Sequence, residues 1–169
     1  MFLCRQRRVL YLVNHKLAGP RKYERKRKLL NSIGYELGEG TRVVGPIFCT
    51  GKLIVGKNCF LGRDLTINGN GTVIIGDNCD IAPSVMFLTG GHEIGSFEHR
   101  AGKGEKYTVR VESGTWIGAR STLGKNITVG QGCVVGTCSC VLKNVEEHCL
   151  VGGVPAKIIR KFDDHGESS

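Results

Sequence analysis

No apolar run in this sequence approaches the ~18 residues of a membrane-spanning helix, so no membrane span is expected. The opening stretch, MFLCRQRRVLYLVNHKL, lacks the uninterrupted apolar core of a signal peptide, and a cytoplasmic protein is expected. Nowhere is there a CxxC pair or a Cys/His cluster with zinc spacing; Cys138 and Cys140 alone are a weak signal, and no metal site is expected. The chain carries 8 cysteines, but they form no disulfide framework, which fits a reducing compartment. Also missing are an RNA-binding motif and aromatic residues interleaved with the basic ones, so no nucleic-acid partner is expected. That absence matters because the net charge is +9, and Arg5, Arg7, Arg8, Lys16, Arg21, Lys22, Arg25, Lys26, Arg27 and Lys28 crowd the N-terminus. A membrane-surface role, a solvated helix face and a surface that attracts polyanionic ligands stay open for these cations.

What is present is a period. At 169 residues, with 40% hydrophobic and 23% charged residues, the chain fits one soluble globular domain. Its 25 glycines are about twice the usual share and fall at regular intervals, which points to a repeat fold. Hexads begin on aliphatic residues at Val55 and Leu61, shift by two residues, and resume at Ile75 and Ile81. After a break they return at Val111, Ile117, Leu123, Val129, Val135 and Val141, with a weaker version upstream at Leu37 and Val43. Cys59, Cys79 and Cys133 share one small-residue slot of the hexad and read as buried small hydrophobes.

A period of six fits neither a helix nor an alternating strand. It fits a short strand and a tight turn on each side of a three-sided coil, with the aliphatic residue stacked inward. Glycine in second place and Asn or Asp in the turn tolerate the backbone angles required. Three hexads make one turn of a parallel β-helix, in which each coil supplies the next with hydrogen bonds and core. The fold class is therefore all-β, with residues 37–154 forming the β-helix and an excursion loop at about 92–110. Residues 1–36 form an N-terminal basic helical cap, in which PRKYERKRKLLNSIG reads as a short helix from Pro20 to a stop at Gly34. Residues 155–169 form a C-terminal closing segment, VPAKIIRKF, and a polar tail, DDHGESS, expected to be disordered.

Hexads, an excursion opening with TGGHEIG, a return through GTWIGARSTLGKNITVGQGCVVGTCSCVLKNV and a close at VGGVPAKIIR together resemble one family. The chain looks like a hexapeptide-repeat acyltransferase, of the branch with galactoside, maltose and xenobiotic acetyltransferases and glycan O-acetyltransferases. The resemblance covers nearly the whole chain. It implies a left-handed β-helix, against the usual right-handed crossover, and a homotrimer with active sites in clefts between prisms. Acetyl-CoA is the implied co-substrate, and the excursion loop of one prism is expected to reach across to the next.

A hydroxyl attacking a thioester needs a base, and histidine, with an unperturbed pKa of about 6.5, suits that task. His92 stands where the coil breaks and matches the family's catalytic histidine. Either Glu93 or a backbone carbonyl could orient it, and the orienting group stays open. The resemblance places Ala119 near the thioester, offering a backbone N–H to the developing oxyanion. Trp116 matches the family's cleft tryptophan, Thr137 and Leu142 match backbone-contact positions, and Lys143, Lys157 and Arg160 match positions at the nucleotide end of CoA. For the acceptor the match thins: an asparagine of some sugar enzymes would fall at Gly62, leaving Asp64, Asn68 and Asn70 as candidates. The implied activity is acetyl-CoA-dependent O-acetylation of a carbohydrate hydroxyl, in a capsular or exopolysaccharide unit or its precursor. N-acetylation of an amino sugar, acetylation of an antibiotic and a catalytically silent scaffold are the alternatives.

Overall fold

A computed structural model describes residues 2–163. The hexads build a three-sided parallel β-solenoid. Its first face stacks Glu36–Leu37, Lys52–Val55, Thr72–Ile75, Thr108–Val111 and Ile127–Val129. The second stacks Arg42–Val43, Phe60–Leu61, Asp80–Ile81, Trp116–Ile117, Val134–Val135 and Cys149–Gly152, and the third Ile47–Cys49, Leu65–Asn68, Met86–Leu88, Thr122–Gly124 and Cys140–Val141. The chain visits the faces in that order in every coil. The cap contributes two helices, α1 (Phe2–Tyr11) and α2 (Tyr23–Asn31).

The aliphatic residue of each hexad points inward, and register stacks like positions. Leu37, Val55, Ile75, Val111 and Val129 form one column. Val43, Leu61, Ile81, Ile117, Val135 and Val151 form another. All are buried, and each fully buried side chain contributes roughly 1.5–3 kcal/mol of hydrophobic stabilisation. The turns place Asn58, Asp64, Asn78, Ser84, Arg120 and Cys138 at φ between 55° and 60°, where short polar side chains are tolerated best. That is what fills the polar slots of the hexad.

The small slot proves to be a hydrogen-bonding slot as well as a steric one. Cys59, Cys79 and Cys133 are fully buried there. Cys59 Sγ donates to Gly76 O at 3.0 Å and Cys79 Sγ to Glu112 O at 3.2 Å, each a carbonyl of the following coil. Thr115, in the same column, donates through Oγ1 to Gly130 O and accepts the Cys133 N–H. A side chain here must be small and must also offer a proton to a carbonyl that the corner leaves unpaired.

The cap closes the open end of the first coil with Val13, Leu30 and Ile33, which are buried in the same core. Asn14 accepts the Ile47 N–H at 3.0 Å and donates to Ile47 O at 2.9 Å, covering an exposed strand edge. Lys26 is completely buried; its Nζ donates to Gly19 O and Val44 O at 2.7 and 2.9 Å. Burial lowers its pKa to about 8. The helix read from Pro20 begins at Tyr23, because Lys22 before it takes a left-handed backbone (φ 53°). At the other end, Lys157–Lys161 folds back antiparallel on Cys149–Gly152 and closes the prism. The polar tail expected to be disordered, residues 163–169, lies outside the described residues from 164 onward. Among the described residues no helix is long and apolar enough to cross a membrane.

Candidate active site

The break in the hexads is a two-stranded antiparallel fin. Leaving the third face after Leu88, the chain runs Gly90–Ile94, turns, and returns along Ala101–Lys106, with His92 opposite Gly104. The fin roots at the corner between the third and first faces. Its base is tied by Thr89 N–H to Asn68 O at 2.8 Å and by Tyr107 N–H to Thr89 O at 2.9 Å. The two-residue phase shift upstream, within Asn68-Gly69-Asn70-Gly71, makes room for this base. A Cβ on Gly71 would stand 2.5 Å from Thr89 O and closer still to Tyr107 O, and Gly69 has φ +111°. Above the base, the Tyr107 ring packs on Gly91, where a Cβ would lie 2.6 Å from the phenol oxygen. Tyr107 Oη donates to Glu105 Oε2 at 2.9 Å, and this bond to a carboxylate raises the phenol pKa.

His92 is exposed on the fin, and its Nδ1 lies 2.9 Å from Gly102 O on the opposing strand. A carbonyl oxygen only accepts, so Nδ1 carries the proton and Nε2 keeps a free lone pair. The orienting group left open by the sequence is thus the Gly102 carbonyl. Glu93, next in sequence, lines the groove on one side of the fin without bonding the imidazole. His99 lies in the turn of the fin, its N–H bonded to Ser96 O at 3.2 Å.

The fin separates two grooves, and His92 lines both. One, of about 510 Å³, contains Thr50, Asn68, Asn70, Glu105 and Lys106. The other, of about 730 Å³, contains Tyr107, Lys125, Leu142 and Lys143. One imidazole therefore faces an amide-lined groove and a groove with an exposed leucine and two cations. Of the expected site residues, Asn68, Asn70, His92, Leu142 and Lys143 meet at this corner.

The remaining ones lie elsewhere on the protomer. Trp116 projects from the second face, 55% exposed. Asp64, Ala119 and Thr137 occupy turns at the corner between the second and third faces, Asp64 beside Arg63 at 3.3 Å. Ala119 O accepts the Cys138 N–H at 2.9 Å, whereas the N–H groups of Ala119 and Thr137 have no hydrogen-bond partner among the described residues. Lys157 and Arg160 lie on the closing strand, Arg160 stacked on the Phe162 ring at 5.2 Å. The two groups of residues thus flank the third face from opposite edges. Its outward column, Phe48, Thr66, Met86, Thr122 and Cys140, is aligned by strand register and holds no charge. The first face, in contrast, carries the Lys52–Glu36 ion pair at 2.8 Å.

The arrangement fits a CoA thioester. The larger groove offers the apolar Leu142 side chain and the Lys125 and Lys143 cations, while the unpaired backbone N–H groups of Ala119 and Thr137 lie at the opposite edge of the third face. Among the described residues no group of three or more His, Cys, Asp or Glu could hold a metal ion. Sequence reasoning missed Glu105, Tyr107, Lys106 and Lys125. The first three become visible only when the returning strand is paired with the strand carrying His92.

Solenoid, fin and paired grooves define the class of protein, a hexapeptide-repeat prism. The family model for the hexapeptide repeat of succinyl-transferase matches residues 52–82 and 108–142. The galactoside O-acetyltransferase of Escherichia coli is 28% identical over 162 residues, 95% of this chain and 79% of that enzyme. Across the curated relatives the chain spans from 55% to 79% of their lengths. A hexapeptide-repeat acetyltransferase from Vibrio cholerae, solved with acetyl-CoA, superposes with a TM-score of 0.81 at 25% identity, covering 96% of this chain and 88% of that one. A maltose O-acetyltransferase from Clostridium difficile gives 0.80 at 26% identity, over 94% and 84%. Together these findings support the hexapeptide-repeat acyltransferase family for this chain.

Proposed function

We propose that this acetyltransferase moves an acetyl group from acetyl-CoA to a carbohydrate hydroxyl, in a capsular or exopolysaccharide unit or its precursor, with His92 as general base. The observation that carries the reading is the Nδ1–Gly102 O bond, which leaves the Nε2 lone pair on an exposed imidazole shared by two grooves. Acetyl-CoA supplies an activated thioester carbonyl. Nε2 accepts the proton of the acceptor hydroxyl as its oxygen bonds to that carbonyl; the C–S bond breaks, and the same nitrogen returns the proton to the departing sulfur. Asn68 and Asn70 hold the neighbouring hydroxyls. Negative charge on the carbonyl oxygen is met by the Ala119 N–H.

Because Ala119 and His92 lie on opposite edges of the third face, one protomer does not bring them together. A homotrimer packed through the uncharged third faces joins the His92 corner of one copy to the Ala119 corner of the next. The apolar tip of the fin supports this, since Ile94 is 88% and Phe97 80% exposed and both would be covered by a neighbour. The seven described cysteines are free thiols, which suits a cytoplasmic enzyme. The test is CoA release from acetyl-CoA with a panel of sugars, amino sugars and drugs. His92→Ala should lower turnover by about 10²–10⁴-fold with the active acceptor, and equal turnover by the variant would refute the mechanism.

A further inference from the structure

Net charge is divided unevenly along this chain. Residues 1–35 hold ten of the 24 Lys and Arg and one of the 15 Asp and Glu, so the whole +9 resides there and the remainder, with fourteen of each, is neutral. The one acid, Glu24, is engaged by Arg27 at 2.8 Å and Lys28 at 3.3 Å. Lys26 is buried. The other seven cations are exposed and make no ion pair among the described residues. Charge concentrated in this way, with one acid among residues 1–35 to offset it, favours the approach of an external anion.

The position of the cap says which anion. It covers the first coil, whereas Lys143, Lys157 and Arg160 belong to the last coils and the closing strand, at the opposite end of the stacked faces. The cap charge therefore does not serve the nucleotide end of CoA. Helix α1, which carries Arg5, Arg7 and Arg8, borders a cavity that leads to the other groove through Gln6 and Leu10. A cavity of about 540 Å³ runs from Gln6 and Leu10 of α1 past Tyr35 to Thr50 and Asn70. Thr50 and Asn70 also line the groove that holds Asn68, Lys106 and His92. The shared residues join the cavity beside the basic helix to the groove of the imidazole, and Lys106, exposed and without an ion pair among the described residues, lines that groove. Membrane docking by the cap is disfavoured, because its large apolar side chains among the described residues are buried or half-buried except Tyr11, 57% exposed, whereas surface-seeking helices bury an apolar face in lipid.

Resting on the O-acetyltransferase reading, we infer that the acceptor is an anionic glycan chain. The residue to be acetylated sits at Asn68, Asn70 and His92, and its acidic neighbours extend along α1 past Arg5, Arg7 and Arg8. The test measures binding of a labelled galacturonic-acid oligomer, with a neutral galactan oligomer and phosphatidylglycerol vesicles as comparisons, by the full chain and by its variants. Wild type should bind the acidic oligomer at least about tenfold more tightly than the neutral one, with the preference collapsing near 0.3 M salt, where charges about 10 Å apart are screened. Arg5→Glu/Arg7→Glu/Arg8→Glu should abolish the preference, and the milder Arg5→Gln/Arg7→Gln/Arg8→Gln should reduce it, each with an unchanged melting temperature. Equal affinity for the two oligomers, an unaffected glutamate variant, or tighter binding to vesicles would overturn the inference. Those outcomes leave the His92 test standing, and transfer by His92→Ala at the wild-type rate would overturn the catalytic reading while leaving the charge preference intact.

Discussion

The base of the fin offers a sharp perturbation, Gly71→Ala. A carbon essentially never comes within 3.0 Å of such neighbours, so Thr89 O, at 2.5 Å from the new Cβ, must retreat by at least 0.5 Å and Tyr107 O by more. Both are backbone atoms and cannot swing aside. Thr89 O accepts the Tyr107 N–H and Tyr107 O accepts the Thr72 N–H, so two ladder bonds loosen together. Overpacking costs about 1–3 kcal/mol and each weakened bond about 0.5–1; a loss of about 3 kcal/mol follows. For a chain of this size that lowers the melting temperature by about 6–12 °C. Moving the fin also moves His92 relative to Asn68 and Asn70, and a misplacement of about 1 Å costs on the order of 10²-fold in kcat/KM. Gly104→Ala is the control for stability: it lies on the same fin with nothing within 4 Å of the new Cβ, and its stability should change by no more than about 0.5 kcal/mol. Thermal melting and CoA release on both variants decide the matter. A Gly71→Ala protein that melts and turns over like wild type would show that Gly71 does not fix the fin.

Two further outcomes concern the frame. Thr115→Val keeps the shape but removes the donor to Gly130 O and the acceptor for Cys133 N–H; denaturant titration should show a loss of about 1–3 kcal/mol, while Thr115→Cys should recover most of it. Lys26 has its pKa lowered from 10.5 to about 8 by burial, so between those values the unfolded chain binds the extra proton and this group makes stability rise with pH. Lys26→Met should remove that component, seen as a flatter dependence of the denaturation midpoint on pH over the same window, and an unchanged slope would contradict the burial of the ammonium group.

The solenoid was legible because its physics is local and repeated. An inward aliphatic, a turn at positive φ and a small corner residue recur wherever a coil is laid down, so Val55, Ile75, Val111 and Val129 announce a column without any knowledge of the contacts. The role of the cysteines was legible only in part. Their size assigned Cys59, Cys79 and Cys133 to the corner, but that the slot demands a proton donor emerged from the carbonyls of the following coil. Within the helical cap read over 1–36, α1 as a separate helix and the inward turn of Lys26 were not apparent, since cations read as solvent-facing unless a neighbouring turn supplies two carbonyl oxygens.

From the order of residues alone came the period, the break at His92 and the concentration of charge before residue 36. What pairing and stacking decided was which of these come together. Strand pairing brought Gly102 O to the imidazole and placed Glu105 and Lys106 beside it, and coil stacking set Asn68 and Asn70 under one side of the fin and Lys125 and Lys143 over the other. It also put Ala119 and Thr137 on the far edge of an uncharged face. The physical reason is that a hexad encodes which way a side chain points, whereas its neighbour in the next coil is set by how many residues intervene, and insertions such as Gly69–Gly71 and the fin change that number.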